Sequence, residues 1–186
     1  VARSADTGAA GRARRAGVVD NGGMRLEPRI LMQLSGVLHL RDGKFFASCF
    51  GHRVPDDLLA AVTVHGAATN KATAGFASPS RSQASMPVEI EHWDDEPPAD
   101  GDWDTVLRTQ LCVDTSGSIE WFSPSTEEPG GPGDVVEFPV ARGWYEVEAA
   151  ARHAGDGADT WRIRMWSSDE YGPDLKEIGE IALLAR

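Results

Sequence analysis

Eight carboxylates and two tryptophans crowd the sixteen residues from Glu89 to Asp104, and no Lys or Arg stands among them. Such a run offers several chemistries. Asp100, Asp102 and Asp104 alternate as calcium ligands do, but an EF-hand needs a glycine and a bidentate glutamate where this chain has Thr105 and Leu111. A looser divalent site would recruit Asp94, Asp95 or Glu96; the plainer reading is a solvated acidic turn. Paired carboxylates for glycoside hydrolysis can be drawn from Glu89, Glu91, Asp94 or Asp95, yet carboxylates are too abundant here for that match to discriminate. His92 has no second histidine at a ligand spacing, and His39, His52, His65 and His153 are scattered singly. The chain has no Gly-x-Ser-x-Gly elbow, phosphate-binding glycine loop or Cys-x-x-Cys pair. No catalytic residue, cofactor-binding residue or metal ligand is therefore assigned, and the chain reads as a non-enzyme.

What remains is charge beside aromatic surface. Trp93, Asp94, Asp95, Glu96, Asp102 and Trp103 are read as the contact surface for a basic protein partner, on a loop stiffened by Pro97 and Pro98. Neutralising Asp94, Asp95 and Glu96 is expected to relieve self-repulsion and raise stability slightly. The alternative, from a different class, is a small-ligand or carbohydrate-binding protein that stacks its ligand on Trp93, Trp103 and Trp121. For each tryptophan the competing explanation is a lid over the end of the core.

The charge balance supports the first reading. The 186-residue chain carries a formal charge of −11, unevenly spread: residues 1–29 hold six Arg against three acids, and the remainder holds 12 Lys and Arg against 26 Asp and Glu. Such a body repels phosphates and anionic membranes and steers basic partners toward itself, so neither nucleic acid nor membrane is expected as a partner. Cys49 and Cys112 lie in apolar runs and read as buried, reduced thiols, which points to a cytoplasmic protein. No apolar run is long enough to span a bilayer. Arg14-Arg15 lacks the apolar stretch that a twin-arginine signal needs, and Gln33, Ser35 and His39 interrupt the one apolar stretch after Met24.

The elements that must position these residues are strands. Residues 1–23, rich in Gly, Ala and Arg, read as a disordered leader, and residues 30–186 as one domain. Short apolar or alternating runs, punctuated by turn residues, predict an all-β protein, an antiparallel two-sheet β-sandwich. The expected strands are Gly36–Leu40, Lys44–Phe50, Ala60–His65, Ala72–Ala77, Pro87–His92, Thr105–Val113, Ile119–Phe122, Val135–Pro139, Trp144–Ala151, Thr160–Ser167 and Glu180–Leu184. Arg41-Asp42-Gly43-Lys44 and Asp114–Gly117 read as tight turns. Pro55–Ala61 has helix-start chemistry that competes with the strand assigned to Ala60–His65. Gly66–Ser85 is expected to be poorly packed strand or a long mobile loop. In the C-terminal hairpin, alternation and charge favour a register placing Tyr145 opposite Met165, Val147 opposite Ile163, Glu146 opposite Arg164 and Glu148 opposite Arg162, with Trp144 against Trp166.

The succession His92-Trp93-Asp94-Asp95-Glu96-Pro97-Pro98, Asp102-Trp103-Asp104-Thr105-Val106, Val140-Ala141-Arg142-Gly143-Trp144-Tyr145-Glu146-Val147 and Trp161-Arg162-Ile163-Arg164-Met165-Trp166 resembles a group of actinobacterial proteins of unassigned function with a Trp-Asp-x-Glu-Pro-Pro loop. It is more distantly similar to the competence protein J family, whose members inhibit a DNA-entry nuclease. The resemblance covers about Pro87–Trp166. Here Ala141-Arg142-Gly143 replaces the group's usual Pro-Gly, and Glu146 and Glu148 replace basic residues. The resemblance implies a sandwich fold and a role of the immunity or nuclease-inhibitor type; its motifs are architectural and carry over no catalytic residue.

Overall fold

The structure, a computed structural model, describes residues 27–49, 53–80, 84–113, 117–124, 135–154, 159–168 and 182–183. The expected leader and the Asp114–Gly117 turn lie wholly or mostly outside these residues.

Among the described residues, eleven strands and one helix follow in the order β1 (Ile30–His39), β2 (Lys44–Ser48), α1 (Asp56–His65), β3 (Ala67–Thr69), β4 (Thr73–Ala77), β5 (Ser85–Trp93), β6 (Thr105–Val113), β7 (Ser118–Phe122), β8 (Val135–Pro139), β9 (Gly143–His153), β10 (Asp159–Ser167) and β11 (Ala182–Leu183). They form a five-stranded sheet, β1-β5-β10-β9-β6, and a six-stranded sheet, β11-β3-β4-β2-β7-β8. The predicted two-sheet sandwich is what the chain builds. All strand pairs are antiparallel except β5 with β10, which run parallel and bring the acidic segment's strand beside the C-terminal hairpin.

Alternation decides the faces. Met86, Val88 and Ile90 of β5, Leu107 and Leu111 of β6, Tyr145, Val147 and Ala149 of β9, and Trp161, Ile163 and Met165 of β10 point inward. They meet Phe45, Phe76, Ile119, Trp121 and Phe138 from the six-stranded sheet. Phe45 packs edge-on against Trp161 at 5.0 Å, joining the two sheets. Each large side chain buried this way stabilises the fold by about 1.5–3 kcal/mol.

Three local expectations are corrected. The strand assigned to Ala60–His65 is the second half of α1, which runs through Val62-Thr63-Val64 despite their strand propensity. Leu58 and Val62, one turn apart, are buried with Phe46 and Phe122 on the outer face of the six-stranded sheet, and that burial overrides propensity. Gly66, at φ 85°, ends the helix and donates its N–H to the Val62 carbonyl at 2.9 Å. The described residues of Gly66–Ser85 are not loosely packed: β3 and β4 form a buried hairpin among them. The Asn70 side chain organises its turn, accepting from the N–H groups of Ala72 (3.1 Å) and Thr73 (2.7 Å). A Cβ on Gly75 would lie 2.6 Å from Val62 Cγ2, so only glycine lets α1 sit this close to β4.

The hairpin register is the third correction. Tyr145 pairs with Ser167, Val147 with Met165, Ala149 with Ile163 and Glu148 with Arg164, two residues from the expected alignment. Every side chain keeps its predicted face. Trp166 stands opposite Glu146, and Trp144 lies beside Cys112 of β6.

Candidate functional site

The outward face of the five-stranded sheet carries a ladder of charge. Register aligns Glu91 of β5, Arg164 of β10, Glu148 of β9 and Arg108 of β6 in one row across four strands. Signs alternate along it, as cross-strand pairing favours. Arg164 Nε donates to Glu148 Oε1 at 2.8 Å, and Arg108 Nε to Glu148 Oε2 at 3.0 Å. Glu148 and Arg164 are 3% and 4% exposed, so their charges survive only because they are paired.

What covers this row is the acidic segment itself. After Trp93 the chain turns back over the sheet and is fastened at each step by a base from elsewhere. Asp94 accepts from the Arg29 N–H and from Arg29 Nε, each at 2.8 Å. These bonds, the backbone one foremost, hold its carboxyl below the usual carboxylate range. Glu96 accepts from Arg108 Nη1 at 2.9 Å. The Pro98 carbonyl accepts from Arg164 Nη1 at 2.9 Å, and Pro97 is buried. Asp100 accepts from both terminal nitrogens of Arg162, and this hydrogen bonding lowers its pKa. Trp103 lies between two guanidinium groups, Arg162 at 4.5 Å and Arg152 at 5.0 Å from its ring centre. Asp102 takes φ 84°, and its carbonyl accepts from Arg152.

The six predicted contact residues are thus brought together on one strap, in two classes. Asp94, Glu96 and Trp103 are engaged by arginines. Trp93 is half-buried and donates its indole N–H to Glu91 Oε2 at 2.8 Å. Asp95 and Asp102 are exposed, and among the described residues no Lys or Arg pairs with either carboxylate. The bases found by the structure change one expectation: neutralising Asp94 and Glu96 removes two ion pairs, so relief of repulsion is no longer the only effect. The five arginine anchors were not legible in the sequence because they lie outside the segment, Arg29 just before β1 and the other four on β6, β9 and β10. The signal that was present is the outward spacing of Arg162 and Arg164 on β10.

The remaining sequence candidates separate. Trp121 is not a loop aromatic; it is fully buried between the sheets, so Trp93, Trp103 and Trp121 form no common stacking platform. His92 faces inward, edge-on to Tyr145 at 5.7 Å, and burial lowers its pKa, which favours the neutral ring. Among the described residues, no cluster of three or more His, Cys, Asp or Glu is placed to hold a metal ion. Cys49 is buried and Cys112 half-buried.

One edge adjoins the strap. Among the described residues β1 pairs only with β5, opposite Trp93 at its start, and it exposes Ile30, Leu31, Met32, Leu34 and Val37. It contains no Lys, Glu or Asp, the residues that usually blunt such an edge.

This architecture is matched among solved structures. The chain superposes on the crystal structure of ComJ from Bacillus subtilis, described as an inhibitor of the DNA degrading activity of NucA. The TM-score is 0.54, and the match spans 77% of this chain and 100% of that one at 11% identity. At that identity the likeness is one of fold. No protein-family model matches the sequence, and no curated protein matches it.

Proposed function

We propose that the protein is a non-enzymatic, acidic partner-binding protein of the nuclease-inhibitor or immunity type. Its contact surface is the strap bearing Trp93, Asp94, Asp95, Glu96, Asp102 and Trp103. The observation that carries this reading is the contrast within the strap: most of it is fastened to the sheet, while Asp95 and Asp102 stand exposed without a basic partner among the described residues. Carboxylates held on a fixed support need little ordering on binding, and a basic nuclease expects phosphates where they would arrive. The chain beyond residue 29 holds 12 bases against 26 acids, which steers such a partner in. The ComJ fold is known in an inhibitor of a DNA-degrading enzyme, which makes a nuclease the first partner to try. The apolar start of β1 beside Trp93 supplies contact area next to the charge. Among the described residues no helix is long and apolar enough to cross a membrane.

The test is capture from the native host on the immobilised full chain, followed by affinity measured across salt and by a DNA-degradation assay on the captured protein. Wild type is expected to retain a basic protein whose nuclease activity it suppresses. Asp95→Asn with Asp102→Asn breaks no ion pair among the described residues, and should weaken binding most at low salt. Trp93→Ala should weaken it with little salt dependence. An unchanged partner and affinity in the double variant would reject the strap as the binding surface.

A further inference from the structure

Of the seven large apolar side chains exposed among the described residues, five lie on β1: Ile30, Leu31, Met32, Leu34 and Val37. Two other edge strands are blunted. β6 gives its Cys112 N–H to the Lys71 carbonyl at 2.9 Å, and β8 is five residues long and carries Glu137 and Pro139. β1 runs for ten residues with neither Lys, Arg, Asp nor Glu. Its backbone groups follow a definite pattern. The Leu40 N–H bonds to the Ala84 carbonyl, and the same register pairs Leu38 with Met86, Gly36 with Val88 and Leu34 with Ile90. Bonded and non-bonded residues alternate along an antiparallel pair. The even-numbered residues therefore direct their N–H and C=O groups to β5, while those of Gln33, Ser35 and Val37 point away from it.

We propose that β1 is the seat of a second copy of this chain: two β1 strands pair antiparallel about a twofold axis at Leu34 and join two five-stranded sheets edge to edge. The sequence of β1 matches itself in that register. On the inner face Leu34 meets Leu34 of the second copy, and Met32 lies over Gly36. There the missing side chain leaves room, and Val136 offers an apolar contact, its Cγ2 3.8 Å from where a Cβ would stand. On the outer face Gln33 meets Ser35, polar against polar, and Leu31, at the β1 bulge, comes beside Val37; these two are 54% and 48% exposed. Symmetry repeats each unlike pair. Moving the axis to Ser35 sets Gln33 against Val37 and loses the match. Charge favours this occupant over a basic protein. With −11 on each chain two copies repel one another, and β1 is a strip where neither presents a carboxylate of its own. A basic partner would find no carboxylate on β1 to pair with. The joined sheet extends sideways, so the strap on its outer face stays uncovered.

The experiment is sedimentation of the full chain across concentration. One ten-residue strand on each side is smaller than the roughly 20–30 residues of a standard interface, so the dimer should be weak and form between about 10 µM and about 1 mM. Leu34→Lys sets two ammonium groups face to face on the axis. It should weaken association at least about tenfold while the thermal midpoint of dilute protein stays near wild type. A second measurement reads the register. With Gln33, Ser35 and Val37 making the bonds between copies, position 34 forms a non-hydrogen-bonded pair whose Cα atoms stand about 4.5 Å apart, within disulfide reach. Leu34→Cys should therefore cross-link into a dimer under mild oxidation, and faster than Ser35→Cys, with wild type as the control for Cys49 and Cys112. A chain that stays monomeric throughout, a dimer that Leu34→Lys leaves intact, or cross-linking no faster at position 34 than at 35 would overturn the proposal.

Discussion

Asp100 illustrates how one residue holds the strap. Its carboxylate binds the Arg162 guanidinium, whose other face lies against Trp103, so one ion pair fixes both the loop's path and its tryptophan. The hydrogen bonds from Arg162 lower its folded pKa. A depressed folded value means that docking is stabilised above the unfolded carboxylate pKa of about 3.9 and is lost as pH falls through the folded value. The Trp103 fluorine resonance of fluorotryptophan-labelled protein should therefore hold steady from neutrality to about pH 4 and shift below it. Asp100→Asn should show the shifted, undocked position at neutral pH. A resonance in Asp100→Asn identical to wild type would mean that Asp100 does not hold the loop.

At the scale of elements, Glu148 locks the register of three strands, because Arg164 of β10 and Arg108 of β6 converge on its two oxygens. Removing one partner of a buried pair costs about 3–5 kcal/mol, more than an exposed cross-strand pair contributes. Glu148→Ala should lower stability by about that amount in urea titration. In double-mutant cycles the coupling of Glu148 with Arg164 should lie in the range of about 0.5–3 kcal/mol and exceed its coupling with Arg162. The reverse order would restore the register read from the sequence. The strand alternation was legible in Trp144–Ala151 and Thr160–Ser167, but a shift of two residues leaves every face unchanged. Only contacts with β5 and β6 choose between the two alignments.

On the scale of the molecule, the layers are α1, the six-stranded sheet, the core, the five-stranded sheet and the strap. One apolar cluster spans both sheets, with the Phe45–Trp161 contact at 5.0 Å inside it. The described strands should therefore unfold together. Trp161→Ala is expected to cost about 3–5 kcal/mol and to move the urea midpoints seen by far-ultraviolet circular dichroism and by tryptophan fluorescence by the same amount. Separated midpoints would show that the sheets unfold independently.

The sequence by itself determined what depends on near neighbours. Alternation placed Val147 and Ile163 inward, the Asp42-Gly43 pair made a tight turn with both residues at positive φ, and composition set the sign of the surface. β6 and β8 keep the bounds read from the sequence. The tertiary structure decided what depends on residues far apart in the chain. It ran β5 parallel to β10, carried a helix through Val62-Thr63-Val64 by burying Leu58 and Val62, and sank Trp121 into the core. It also supplied Arg29, Arg108, Arg152, Arg162 and Arg164 to a segment with no base of its own. The division has one physical cause. A strand's side-chain period of two is local and unchanged by any even shift, whereas the partner of a charge, an aromatic ring or a strand edge is set by which distant segment folding brings beside it.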